Sequence, residues 1–199
     1  MDYLHLLLIA FGVFWLSLAI RPHDRQVWIA ENSLTIVTVV ALLWTYPSSP
    51  LSNLSYTLIV GFLVLHTIGG FYTYVRVPYD DAAHAVLGVR LSKIFGWARN
   101  HYDRAVHFAY GLFVGYPLFE LLELYARPVG AWSYVLSPAL IMASSMIFEV
   151  LEWWMTELLG GGQGAAYIGA QGDEWDAQKD MALATLGSII TMVITALFI

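Results

Sequence analysis

Apolar positions in this 199-residue chain gather into six runs, near residues 3–20, 27–46, 53–75, 102–125, 131–158 and 180–198. Each is about 20 residues long, enough for an α-helix rising 1.5 Å per residue to cross a hydrocarbon layer of ~30 Å. The breaks between runs are polar or carry Pro and Gly: Arg21-Pro22-His23-Asp24-Arg25, Tyr46-Pro47-Ser48-Ser49-Pro50, Arg127-Pro128, and a Gly-rich stretch from Gly160 to Gly172. Such residues terminate helices and favour turns. A longer break runs from Arg76 to His101. Within it, residues 79–99 are too polar to span, yet Val86, Leu87, Val89, Leu91, Ile94, Phe95 and Trp97 lie among Arg90, Lys93 and Arg99. That mixture predicts an amphipathic helix lying on the membrane surface.

The pattern therefore predicts an all-α, polytopic membrane protein, residues 1–199 forming one domain of about six transmembrane helices with an interfacial helix at 79–99. The first run lacks a basic leading region and an Ala-x-Ala-like cleavage site, so it reads as a helix rather than a secretory signal. No internal repeat is visible.

Charge decides the orientation. Of the nine Lys and Arg residues, eight (Arg21, Arg25, Arg76, Arg90, Lys93, Arg99, Arg104 and Lys179) fall in or beside the first, third and fifth connections, and Arg127 alone falls on the other side. Basic residues accumulate in cytoplasmic loops, which places those connections in the cytoplasm and both termini outside, in a multi-pass membrane protein. Composition narrows the partners. With 59% hydrophobic and 12% charged residues, the chain meets membrane lipids rather than water, and its net charge of −6 argues against nucleic acid. There is no cysteine, so any metal would need His, carboxylate or water ligands.

Ionisable groups inside a span cost several kcal/mol and generally face the bundle interior or one another. His107 and Glu149 sit roughly 7–9 Å to the basic side of their helix midpoints and His66 roughly 3 Å, so the three share a layer. One turn further out lie Asp103 and Glu152; Asp180 opens the last span, preceded by Asp176, and Glu31 enters with Asn32 from the second. Asp103 and His107 are four apart, Glu149 and Glu152 three apart, Asp176 and Asp180 four apart, so each pair projects from one helix face. Carboxylate and imidazole pairs offered by several helices are how bundle metalloproteins build their sites. His66, Asp103, His107, Glu149, Glu152, Asp176 and Asp180 are accordingly the candidate ligands of a divalent metal, with Zn, Mn, Fe or Mg suited to oxygen and imidazole donors. The bland alternative is a polar network, neutralised by Arg104 and Lys179, that only fixes helix packing.

Weaker features surround this cluster. The Gly160-Gly161-Gly162-Gln163-Gly164 stretch lacks a GK[ST] ending and reads as a flexible connection or a lid rather than a phosphate loop. Gly69-Gly70 would allow close helix approach, and Tyr72, Tyr74, Trp153, Trp154 and Trp175 read as interfacial anchors. Glu120 and Glu123 lie near the outer end of the fourth span; Glu120 is roughly 20 Å from His107, out of reach of the cluster unless Pro117 breaks the helix. Glu123 reads as an interfacial carboxylate near Arg127, and Glu120 as a second polar site.

Three long motifs, Arg99-Asn100-His101-Tyr102-Asp103-Arg104-Ala105-Val106-His107-Phe108, Tyr116-Pro117-Leu118-Phe119-Glu120 and Gly172-Asp173-Glu174-Trp175-Asp176-Ala177-Gln178-Lys179-Asp180-Met181, resemble those of the YjdF-like family of bacterial inner-membrane proteins. The His66-x-x-Gly-Gly-x-Tyr-x-Tyr segment is similar too, and the resemblance runs from the second helix to the end of the chain. It implies a multi-span membrane protein without an assigned substrate, and it groups Glu120 with the motif residues. A shorter likeness, Asp-x-x-x-His opening a membrane helix, is shared with VanZ-like proteins. Three activities remain open: a metal-dependent enzyme acting on a lipid or lipid-linked substrate at the cytoplasmic leaflet, a proton- or ion-coupled carrier of small solutes, and a structural or assembly protein.

Overall fold

The computed structural model describes residues 2–48, 50–159 and 171–198, and every regular element among them is helical. The helices are α1 (Tyr3–Ala19), α2 (Arg25–Thr45), α3 (Asn53–Tyr72), α4 (Tyr79–Leu87), α5 (Leu91–Phe95), α6 (Tyr102–Leu121), α7 (Trp132–Leu159) and α8 (Asp176–Phe198). Among the described residues a π turn, Leu122–Ala126, continues α6 at its C-terminal end. Five of these segments are long and apolar enough to cross a membrane, and α1 is a shorter apolar helix of 17 residues.

The helix starts follow local chemistry. Asp24 caps α2 by accepting from the backbone N–H groups of Gln26 and Val27, and Ser52 caps α3 by accepting from that of Ser55. Each side chain satisfies donors that the first turn leaves orphaned. Pro117 does not break α6, which runs on to Leu121; the irregular backbone comes one turn later, in the π turn. The last helix begins at Asp176, so Asp180 lies inside it, one turn beyond its start.

The segment 79–99 differs from the single interfacial helix its pattern predicts. It forms two short helices, α4 and α5, because Gly88 and Gly96 end them with φ of 74° and 66°, a left-handed conformation that glycine adopts without strain. Asp80 joins the two by accepting from the Ser92 backbone N–H at 3.0 Å, and this hydrogen bonding holds its carboxyl below the usual carboxylate range. Val86, Leu87, Ile94 and Phe95 are all exposed, so the two short helices present apolar side chains outward.

Packing is tightest between α6 and α8, where the contact stripe is made of small residues. A Cβ on Gly111 would run into the Ala184 carbonyl, one on Gly187 into the Phe108 carbonyl, and one on Gly115 into Ser188. Without a hydrophobic driving force in lipid, helices associate through such close backbone approach and through hydrogen bonds across it. Thr191 donates to the Leu112 carbonyl at 2.7 Å, and Ser137 ties α7 to α6 by donating to the Gly115 carbonyl at 2.8 Å. On the other side of α6, α3 and α1 complete an apolar cluster around Leu4, Phe11, Tyr56, Leu63 and Val106.

Candidate functional site

The stripe that brings α6 and α8 together also delivers the site. On α6, Asp103, His107, Gly111 and Gly115 recur every fourth residue, and on α8 Asp176, Asp180, Ala184 and Ser188 do the same. Four-residue spacing holds a set on one helix face. Close contact at the glycines therefore forces the polar ends of both stripes to meet. One ligand atom each from Asp103, His107 and Asp180 lies within 4.8 Å of the others, and all three residues are buried.

Around this trio, His107 Nε2 is 3.7 Å from Asp103 Oδ1 and 3.3 Å from Glu149 Oε1 on α7, while its Nδ1 is 3.3 Å from Ser145 Oγ. Glu152, a turn along α7 from Glu149, is only 6% exposed. Several polar atoms are left over. Among the described residues, Asp180 Oδ1, Glu149 Oε1 and both carboxylate oxygens of Glu31 are buried without a hydrogen-bond partner. Buried polar atoms are paired in the great majority of cases, so each of these exceptions calls for an explanation.

The other candidate residues are committed elsewhere. His66 bonds through Nε2 to the Glu31 backbone carbonyl at 3.0 Å, and the Tyr74 hydroxyl lies 2.6 Å from its Nδ1. With both nitrogens engaged it stands beside the trio as a wall residue. Asp176, one turn before Asp180 on the same face, is taken up by a layer of ion pairs, 2.7 Å from Arg99 and 3.0 Å from Arg104. Asp173 completes that layer, 3.6 Å from Arg99, 2.6 Å from Lys179 and hydrogen-bonded to Arg104. Hydrogen bonds from Lys179, the Trp175 backbone and Arg104 hold the Asp173 carboxyl well below the usual carboxylate range. In the same layer burial, together with the charges of Arg104 and Arg99, pushes His101 below its ordinary value. These pairs close the basic end of the bundle over the buried trio.

Glu120 does not join the cluster. Its carboxylate accepts from the Ser52 backbone N–H at 2.8 Å, from Ser52 Oγ at 2.9 Å and from Ser55 Oγ, closing the N-terminus of α3 at the opposite end of the bundle. Negative charge is favourable there, where unpaired N–H groups and the helix dipole point outward. Glu123 accepts from Ser133 Oγ.

Tyr74 escaped the sequence reading, which treats it as an interfacial anchor. It is 8% exposed, and its ring lies over Gly69, where a Cβ would sit 2.5 Å from the ring carbons. Thr73 and Tyr74 both adopt left-handed backbone, φ 58° and 53°, which turns the chain back after α3 and carries the hydroxyl to His66. Left-handed conformations cost non-glycine residues about 1–3 kcal/mol each and persist where the surroundings over-determine them. The signal that could have found it is the glycine pair itself, because Gly69 admits the ring and Gly70 packs against Glu31.

Beside the trio lies a cavity of about 360 Å³ between α2, α3, α6 and α7. His66, Tyr74, Asp103 and His107 form one end, and Leu34, Ile59, Phe62, Leu63, Val106 and Val114 are among the residues along its length. Its size falls in the range of small-molecule sites, which are mostly apolar with a few convergent polar groups. The Gly-rich stretch read from sequence as a lid lies outside the described residues.

A bundle of membrane-spanning helices enclosing a buried acidic and imidazole cluster defines the class: a polytopic α-helical membrane protein. The chain belongs to the DUF2238 family of predicted membrane proteins, whose pattern it matches over residues 3–199. It is 35% identical over 182 residues to inner membrane protein YjdF of Escherichia coli (strain K12), covering 90% of this chain and 82% of that protein. No solved structure matches the chain.

Proposed function

We propose that Asp103, His107 and Asp180 hold a divalent metal ion, with Glu149 as a further ligand, in a membrane-embedded enzyme that acts on a lipid-borne group at the cytoplasmic leaflet. The observation that carries the reading is the buried convergence of the three ligand atoms within 4.8 Å, together with the unpartnered Asp180 Oδ1 and Glu149 Oε1. Buried carboxylates that face one another are costly unless paired or metal-bound, and a dication removes that cost. Oxygen and imidazole donors suit Zn, Mn, Fe or Mg.

His107 presents Nε2 to the carboxylates and Nδ1 to Ser145, so Ser145 holds the ring tautomer with Nε2 free to coordinate. A bound dication would polarise an ester or phosphoryl oxygen, or acidify a water. The adjoining cavity places such a group next to an apolar compartment, which matches a lipid better than a small polar solute. The orientation, with the basic end and the site in the cytoplasm and both termini outside, rests on the distribution of Lys and Arg. The carrier alternative drew on Glu120 as a polar group at the far end of a pathway, and that carboxylate is occupied in capping α3.

Elemental analysis of the detergent-purified protein tests this. Stoichiometric divalent metal is expected, lost in His107→Ala and Asp180→Asn, and Ser145→Ala should weaken it about 10-fold. Metal-free protein after purification in metal-replete buffer, or content unchanged by those variants, overturns the reading.

A further inference from the structure

We infer that the cavity between α2 and α7 is a sideways-opening channel for one acyl chain of a bilayer lipid, drawn in from the membrane rather than from water. This deepens the reading of the metal centre above and rests on it for the role of the headgroup, while the chain-binding claim stands on the cavity itself.

The direction of opening follows from exposure. Among the lining residues the exposed ones are Leu34 at 39% on α2 and Ile147 at 56% and Leu151 at 47% on α7. Those contributed by α3, including Ile59, Phe62, Leu63 and His66, are buried. The mouth therefore lies between α2 and α7, on segments apolar and long enough to sit in the hydrocarbon layer. Among the described residues, the Arg99, Arg104, Asp173, Asp176 and Lys179 ion pairs lie across the basic end.

What enters a sideways mouth at this depth is hydrocarbon. A cavity lined by Leu, Ile, Val and Phe offers water few partners and stays dry, and walls that face a void lose their dispersion contacts. An acyl chain supplies those contacts at no cost in polar desolvation. The channel is also polarised along its length. From His107 it follows α6 past Tyr110 to Val114, a further two turns or about 10 Å. At its inner end the Tyr110 hydroxyl is 2.7 Å from Ser144 Oγ, so these two polar groups are already paired with each other, and Thr38 on α2 is a further polar residue of the lining. At its outer end stand Asp103, His107, His66 and Tyr74. An amphiphile with its chain toward Val114 places its linkage beside the Asp103, His107 and Asp180 trio. That fixes the substrate class as a chain-bearing membrane lipid attacked at the headgroup end of its chain.

The test reconstitutes the full-length protein in vesicles of phosphatidylethanolamine and phosphatidylglycerol containing a phosphatidylglycerol with a photoactivatable diazirine at one acyl terminus. After irradiation, labelled residues are mapped by mass spectrometry. Labelling should concentrate on Ile59, Val114 and Ser144, above that on Val13 and Leu197, which are exposed on α1 and α8. Val114→Trp, which fills the inner end, should reduce the channel labels by about an order of magnitude and leave the outer labels unchanged. Leu34→Trp, at the exposed mouth, makes the same prediction should Val114→Trp fail to fold. Labels spread evenly over the apolar surface, or channel labels indifferent to both tryptophans, overturn the proposal. Repeating the mapping on His107→Ala separates the two readings. Channel labelling in a protein that never carries metal leaves the chain site standing without the metal centre; stoichiometric metal without channel labelling does the reverse.

Discussion

The two ends of the bundle carry the same kind of residue in opposite conditions. At the end away from the basic residues, Glu120 accepts from three donors supplied by Ser52 and Ser55, and Glu123 accepts from Ser133. At the basic end, Asp180 and Glu149 each keep a buried oxygen without a hydrogen-bond partner, that of Glu149 lying 3.3 Å from His107 Nε2, and Glu31 keeps two. A carboxylate surrounded by serine hydroxyls and helix N–H groups is a fastener. A group of carboxylates facing one another around a histidine is costly to ionise unless a proton or a cation offsets the charge. Intramembrane acidity alone therefore does not mark function; the supply of donors around it does.

Five substitutions break or sharpen that contrast. The largest effect is expected from Gly111→Leu, which drives a side chain into the Ala184 carbonyl and separates α6 from α8. It should cost at least the about 1–3 kcal/mol typical of overpacking and abolish metal binding together with packing, read as thermal unfolding in detergent alongside metal content. Retention of metal in this variant would show that the trio does not depend on the glycine stripe.

The paired test of the two ends comes next. Glu120→Ala removes a charged acceptor from the start of α3 and should lower stability by about 2–3 kcal/mol with metal content unchanged. Asp180→Asn should do the opposite, raising the unfolding temperature of metal-stripped protein because one buried, uncompensated charge is gone, while eliminating metal binding. Equal destabilisation by both would erase the distinction between the ends.

Tyr74→Phe leaves His66 Nδ1 without its donor and should cost about 1 kcal/mol in chemical denaturation, with metal content intact. Smallest of all, Arg90→Ala removes an exposed pair with Asp81 at 2.8 Å and should change stability by under about 1 kcal/mol, an effect that added salt suppresses.

Much of the fold is legible in the chain because hydropathy acts locally: whether a 20-residue run crosses a bilayer depends on its own side chains and backbone. The same locality explains why Asp103 with His107, and Asp176 with Asp180, could be placed on single faces. What stayed hidden depends on contacts between distant residues. Nothing near Glu120 announces Ser52 and Ser55, which lie 68 and 65 positions away. Asp176 and Asp180 look equivalent in sequence, yet one meets Arg99 and Arg104 and the other meets His107. Tyr74 reads as an anchor because no local rule places two successive non-glycine residues in left-handed backbone.

From its sequence alone, then, this protein is determined to be a multi-helix membrane protein with its basic residues and most of its intramembrane acids toward one side, because segment hydropathy and charge are sums over neighbouring residues. Only the tertiary structure decided which acids are ringed by donors and which keep buried oxygens without a hydrogen-bond partner. Pairing is set by distances across helices, and here a stripe of glycines, silent in hydropathy, brings α6 and α8 close enough for Asp180 to face Asp103 and His107.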